Sequence, residues 1–117
     1  MSISGKAKLL RIFVGESDKI GHTNVYEEIV VAARKAELAG ATVYRGVMGF
    51  GKNSRIHTSK ILRLSEDLPL VIEIVDEEAK IDEFIPIIKK IFEDADSGGL
   101  ITMEHAEIIH YTSKKNN

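Results

Sequence analysis

The chain contains no cysteine among its 117 residues, which excludes a disulfide framework, a zinc site built on thiolates and a cysteine nucleophile. Its apolar runs are short, with Leu70 to Ile72 typical, whereas a membrane-spanning helix needs about 20 apolar residues. Residues 1–6 lack the hydrophobic region of a signal peptide. The hydrophobic fraction of 44% and the charged fraction of 29% are those of a globular protein. We therefore expect one soluble, cytoplasmic domain over residues 1–117, with a folded core over 6–112 and a frayed tail over 113–117.

Neither sign of charge is in large excess, because the net charge is −2. This balance and the low aromatic fraction of 6% argue against nucleic-acid binding. The charges are nevertheless unevenly distributed: residues 40–65 contain five cations and no acid, whereas residues 66–96 contain eleven acids and three lysines. Two interpretations are open, namely two solvated faces of opposite charge and a local anion site in the basic stretch.

Hydrophobic periodicity predicts a mixed α+β protein. The predicted strands cover residues 8–14, 41–48, 70–75, 100–103 and 106–111. One predicted helix follows a capping box of Asn24 and Glu27 and stops at Gly40. The other covers residues 78–93 and keeps its apolar stripe on both sides of Pro86. The order β-α-β-β-α-β is typical of the ferredoxin-like fold, an antiparallel sheet with both helices on one face.

The predicted strands are apolar on both faces. Leu9 and Phe13 of the first strand, and Val71 and Val75 of the third, point away from the helices. A sheet face this apolar is not left in water, and we expect a second subunit to cover it. Each strand also places one charge on that face; these charges are Arg11, Arg45, Glu73 and Glu104. With the first and third strands adjacent, both arginines would lie near Glu73, as an ion-pair cluster in an oligomer interface or as exposed strand charges.

The glycine-rich segment after the second strand is a candidate phosphate site. Glycines permit the close backbone approach that lets amide groups face a phosphate. Lys52, Arg55 and His57 follow at once. The alternative is a flexible turn with solvated cations. A Walker loop is excluded, because Asn53 stands where that motif needs Ser or Thr.

The sequence contains few residue patterns that are typical of a catalytic site. Its four histidines show no metal-ligand spacing, and no serine has an obvious base. Asp76, Glu77 and Glu78 are interpreted as a favourable helix start rather than a metal site, since acids stabilise a helix N-terminus. We therefore expect no catalytic residue, no metal, no obligatory cofactor and no enzymatic activity.

Residues 39–51, AGATVYRGVMGFG, resemble the junction of first helix, second strand and T-loop in the nitrogen-regulatory PII signalling proteins. A PII-like family of unknown function, domain of unknown function 190, is more similar still. Its resemblance spans about residues 7–112 and rests on five segments: VYRG at 43–46, GFGK at 49–52, DLP at 67–69, EIVD at 73–76 and GLITME at 99–104.

The resemblance implies a homotrimer with inward-facing sheets and an adenine nucleotide in each cleft between subunits. The residues it suggests for binding are Gly46, Gly49, Phe50, Gly51 and Lys52, then Gly98, Gly99, Leu100, Ile101 and Thr102. Charge and position add Arg55 and His57. The turn at 96–99 is shorter than in PII proteins and no arginine follows the last strand, which favours AMP or ADP over ATP.

By analogy with PII proteins, the 49–65 loop would regulate a membrane transporter, a channel or an enzyme. The alternative from another functional class is a small phosphatase of the acylphosphatase type, which has the same fold. A divalent-cation-tolerance-like trimer also shares the fold, but the histidine and cysteine content gives soft-metal binding no support.

Overall fold

A computed structural model describes residues 5–49, 57–58 and 68–112, with the backbone alone at 48–49 and 57–58. The strands are β1 (Gly5–Gly15), β2 (Lys19–Ile20), β3 (Thr23–Asn24), β4 (Thr42–Arg45), β5 (Met48–Gly49), β6 (His57–Thr58), β7 (Pro69–Glu77) and β8 (Leu100–Ile108). The helices are α1 (Val25–Lys35) and α2 (Glu78–Ala95).

The four long strands form one antiparallel sheet in the order β4-β7-β1-β8. This order confirms the predicted ferredoxin-like α+β architecture, with the first and third predicted strands adjacent. The last strand is continuous from Leu100 to Ile108, although the sequence predicted two pieces. The short pairs β2-β3 and β5-β6 lie outside this sheet.

The hydrophobic core lies between the sheet and the two helices. The sheet contributes Leu10, Ile12, Val14, Leu70, Ile72 and Ile74, and the helices contribute Val25, Ile29, Ala33, Ile81, Phe84, Ile88 and Ile91. Each large apolar side chain that is fully buried here stabilises the fold by roughly 1.5–3 kcal/mol. Both helices therefore cover one face of the sheet, as predicted, and leave the other face without a layer of its own from the described part of the chain.

The first helix begins directly after Asn24, as predicted, but lacks the predicted capping bond and ends earlier. Asn24 precedes it without a side-chain capping hydrogen bond, and the helix ends at Lys35 rather than continuing to Gly40. Glu37 adopts a left-handed conformation with φ of 62°. Its N–H donates to the Arg34 carbonyl at 3.0 Å, and the next N–H, of Leu38, donates to the Ala33 carbonyl at 3.1 Å. This is a Schellman ending, in which the hydrophobic residue after the left-handed position packs back on the core.

Candidate functional site

The sheet face opposite the helices, which we call the open face, is organised in rows across the four strands. Paired residues of neighbouring antiparallel strands share a face. One row is apolar and consists of Tyr44, Val71, Phe13 and Leu100. The next row is polar and consists of Thr42, Glu73, Arg11 and Thr102. The two ends of the apolar row, Tyr44 and Leu100, are 52% and 54% exposed, so this chain alone leaves substantial apolar surface in water.

The centre of the open face is an ion-pair cluster. Arg11 donates from Nε to Glu73 Oε2 and from Nη1 to Glu104 Oε2, both at 2.9 Å. The hydrogen bond to Glu73, and then the one to Glu104, raises the pKa of Arg11 above its ordinary value. The guanidinium is thus charged at any practical pH. Because its partners come from its own chain, this arginine can be covered by another surface without being left unpaired.

The predicted position of Arg45 near Glu73 is wrong. Arg45 is paired with Leu70 across the β4-β7 ladder, and Leu70 faces the helices and is buried. Arg45 therefore projects from the helix side of the sheet edge, where it bonds Glu16 in the loop after β1. The physical reason is strand parity: Thr42 is the β4 residue opposite Glu73, and Arg45, three residues on, must point the other way.

Two groups of predicted binding residues lie at the same end of the sheet. There β4 ends, β7 begins, β1 ends and β8 begins. Gly46 follows β4 and donates its N–H to the Pro69 carbonyl at 2.7 Å. A Cβ on Gly46 would approach Pro69 Cγ to 2.9 Å. This glycine is therefore required by packing at the start of β7, whatever else it contacts.

The turn between α2 and β8 contains the second group. A Cβ on Gly98 would meet no atom within 4 Å, whereas a Cβ on Gly99 would lie 2.4 Å from Phe92 Cζ. Gly98 thus presents open backbone, and Gly99 packs on the Phe92 ring. The neighbouring Ser97 has a buried hydroxyl with no hydrogen-bond partner among the residues that the structure describes. Sequence reasoning did not single out this serine, because an orphan hydroxyl has no sequence signature.

The remaining predicted binding residues differ in what they can contact. Leu100 and Thr102 begin β8 on the open face, but Ile101 between them packs against the core. Gly49 and His57 are opposite one another in the β5-β6 pair. The other four, Phe50, Gly51, Lys52 and Arg55, and the 113–117 tail, lie outside the described residues.

Within one chain the described glycines of the two groups, Gly46 and Gly98, lie far apart. Gly46 follows β4 at one edge of the sheet, and Gly98 precedes β8 at the other edge. Three interstrand spacings separate these edges, which is about 14 Å. The strands β7 and β1 lie between them. A ligand bound at one of these two glycines would therefore have to extend across the sheet to reach the other glycine of the same chain.

The opposite end of the sheet holds a feature that the sequence did not reveal. Asp76 is fully buried, and its carboxylate accepts the N–H of Ala39 at 2.8 Å and that of Glu77 at 2.6 Å. Tyr111 donates its hydroxyl to the Ala39 carbonyl at 3.1 Å. Asp76 therefore anchors the segment after α1, in addition to preceding a helix as the sequence suggested.

Beside this network is a groove of about 700 Å³ on the open face. Its lining includes Thr42, Glu73, Val75, Ala106, Ile108 and Tyr111. Within residues 5–49, 57–58 and 68–112, no cluster of three or more His, Asp or Glu side chains could hold a metal ion. Over the same residues, no helix combines the length and the hydropathy needed to cross a membrane.

Comparison with known proteins agrees with this architecture. The model of domain of unknown function 190, described as an uncharacterized ACR, matches residues 7–108. A UPF0166 protein of Aquifex aeolicus is 40% identical over 105 residues, covering 90% of this chain and 95% of the relative. A UPF0166 protein of Methanocaldococcus jannaschii is 35% identical over 103 residues, covering 88% and 92%.

Among solved structures, CPII of Thiomonas intermedia K12, a nitrogen regulatory PII-like protein bound to ADP, AMP and bicarbonate, superposes with a TM-score of 0.68. The identity is 15%, with 92% of this chain and 91% of CPII covered. Its apo form superposes with a TM-score of 0.62 at 14% identity, covering 96% and 100%. The fold is therefore that of the PII-like proteins. The chain itself belongs to the family of domain of unknown function 190, the UPF0166 proteins.

Proposed function

We propose that this chain forms a homotrimeric, PII-like signalling protein of the cytoplasm that binds an adenine nucleotide between subunits. The observation that carries the proposal is the separation of the two glycine groups, at one end of the sheet but on opposite edges. In a closed ring, one edge of each chain meets the other edge of its neighbour. The cleft between two chains then holds both groups, as a shared ligand site requires.

The open face supports the assembly. It exposes the apolar row, and its central arginine is neutralised by Glu73 and Glu104 of the same chain. Covering this face would leave Arg11 paired within its own chain, while the cluster of one arginine and two carboxylates keeps a net negative charge. A fold like that of CPII, which is bound to ADP and AMP, supports the choice of an adenine nucleotide.

In this proposal the nucleotide acts as a signal and is not turned over. Backbone amides near Gly49 and Gly98 receive its phosphates, with Lys52, Arg55 and His57 supplying positive charge. The few cations favour AMP or ADP over ATP. Binding can act through the 49–65 loop only if the nucleotide binds one conformation of the protein more tightly than another. The loop then contacts a transporter, a channel or an enzyme.

The binding test is calorimetry of the protein with AMP, ADP, ATP and cyclic AMP. We expect AMP or ADP to bind, and Lys52→Ala and Arg55→Ala each to weaken binding, since each removes a charge from the phosphate site. Lys89→Ala, an exposed lysine on α2, is the matched control and leaves affinity unchanged. If none of the four nucleotides binds, the ligand assignment is contradicted. If light scattering shows a monomer at micromolar concentration, the proposed assembly is contradicted.

Mixing two variants tests the shared site directly. Lys52→Ala damages one half of the site, and Gly98→Asp damages the other by adding a carboxylate where there is open space. Each variant alone binds weakly. After dissociation and reassembly of an equal mixture, one contact in four unites two intact halves, so binding returns at about a quarter of the wild-type sites. No recovery, in oligomers shown to be mixed, would mean that each site belongs to one chain.

The phosphatase alternative has less support from the loop that follows β1. At the start of that loop the N–H of Gly15, the last residue of β1, donates to the Asp18 carboxylate at 2.9 Å, and Glu16 bonds Arg45. Carboxylates there repel a phosphate and already use donors that could bind it. Turnover of an acyl phosphate by the purified protein would nevertheless replace the signalling proposal by the enzymatic one.

A further inference from the structure

The C-terminal segment after β8, residues 109–112, is held in place by the core. β8 is one edge of the sheet and β4 is the other, yet Tyr111 reaches the Ala39 carbonyl just before β4. The segment therefore crosses the sheet at the end where the groove lies. Ala39 is itself held on its other side, because its N–H, which belongs to the preceding peptide group, is bonded to the buried Asp76.

At the beginning of this segment stands an apolar side chain exposed to solvent. Ile109 is 83% exposed, the highest value among the large hydrophobic residues that the structure describes. It lies on the rim of the groove, whose apolar lining includes Val75, Ala106 and Ile108. A projecting apolar side chain and an apolar groove thus adjoin on the same face of the same chain.

This pairing suits a second copy of the chain better than a small ligand. A surface that carries both a projection and a matching recess is self-complementary, as contacts between identical chains require. The groove lining also includes Glu107 and His110, whereas its other carboxylate, Glu73, is bonded to Arg11. Because the hydrogen bond of Tyr111 holds the segment before association, little conformational entropy is lost when Ile109 is buried.

We propose that Ile109 inserts into the groove of a neighbouring copy and anchors the assembly, and that Tyr111 is the positioning residue for this anchor. The inference rests on the self-association in the proposed function and adds the residues that determine it. Ile109 makes the contact, whereas the Tyr111 hydroxyl acts only by fixing the segment that presents it.

The test is sedimentation equilibrium of the full chain over a hundredfold range of concentration. Ile109→Glu is expected to raise the dissociation constant of the oligomer at least about tenfold, as loss of an anchoring side chain does. Val31→Glu is the matched control, since Val31 is an exposed apolar residue, 47% exposed, on the helix side. It is expected to leave the constant unchanged. Ile109→Ser removes the projection without adding charge and guards against an effect of charge alone.

Tyr111→Phe removes one hydroxyl and tests positioning. We expect a several-fold weaker oligomer, together with faster hydrogen exchange at residues 109–112 and unchanged exchange in the middle of β1. An oligomer as strong in Ile109→Glu and Ile109→Ser as in the wild type would overturn this inference and leave the proposed assembly standing. A wild-type monomer at all concentrations would overturn both, while nucleotide binding is decided separately by calorimetry.

Discussion

Two adjacent glycines in the α2-β8 turn should respond in opposite ways to the same substitution. In Gly99→Ala the new Cβ would lie 2.4 Å from Phe92 Cζ and 2.7 Å from Cε2, whereas in Gly98→Ala it would meet nothing within 4 Å. Neither glycine has the positive φ that disfavours alanine. Comparing the two alanine variants therefore measures the effect of packing without a contribution from an unfavourable backbone conformation.

The magnitude follows from the contact distance. Carbon atoms in contact lie about 3.5–4.0 Å apart, so alanine at 99 must displace the ring of Phe92 by about 1 Å. That ring packs against the core, and overpacking of this kind costs about 1–3 kcal/mol. Replacing glycine by alanine also lowers the entropy of the unfolded chain, which stabilises either variant by about 0.4–1 kcal/mol. This contribution cancels in the comparison, so Gly99→Ala is expected to be less stable than Gly98→Ala by about 1–3 kcal/mol.

Urea unfolding followed by circular dichroism measures this difference, at one protein concentration because association contributes to stability. With a slope of about 2 kcal/mol per molar urea, the two midpoints differ by about 1 M. A Phe92→Leu background should remove most of the penalty at position 99 and none at position 98. Equal midpoints for the two alanine variants would refute the packing of Gly99 on this ring.

Three further substitutions test other parts of the structure. Ser97→Ala removes a buried hydroxyl that has no partner within the described part of the chain and is expected to leave the free energy of unfolding unchanged or raise it by up to about 1 kcal/mol; a clear loss would reveal a partner outside the described residues or in another chain. Asp76→Asn places an amide against two backbone N–H donors and is expected to lower the free energy of unfolding by about 2–3 kcal/mol in urea, a loss that a wild-type midpoint would contradict. Arg11→Met leaves two carboxylates without their cation, so sedimentation should show a weaker oligomer, whereas unchanged association would exclude the cluster from the interface.

The fold was largely predictable because its main helices and strands bury regularly spaced apolar residues. The apolar spacing of α2 predicted a helix that continues through Pro86, and the structure has it from Glu78 to Ala95. The end of α1 was not predictable in the same way. It depends on Glu37 in a left-handed conformation, and a glutamate carries no signal for that position, whereas Gly40 does.

The orientation of β4 could not be predicted from the sequence either, for a different reason. All of its residues are exposed, so neither side carries a burial pattern that decides which side chains face the helices. Its register is set instead by pairing with β7 and by the bond from Gly46 to Pro69. Arg45 was therefore assigned to the wrong face, while Arg11, on a strand with a buried alternate face, was assigned to the right one.

The candidate site could be predicted from the sequence only in part, for a third reason. Sequence similarity identifies residues one at a time, and the described glycines at 46 and 98 do lie at one end of the sheet. Whether they form one site depends on the contact between chains, which no pattern within a chain encodes. In the proposed assembly that contact involves the open face, where the Arg11 cluster and an exposed isoleucine beside the groove lie together. The proposal therefore couples the assembly surface to the ligand site, because a change that weakens association would also separate the two halves of the proposed site.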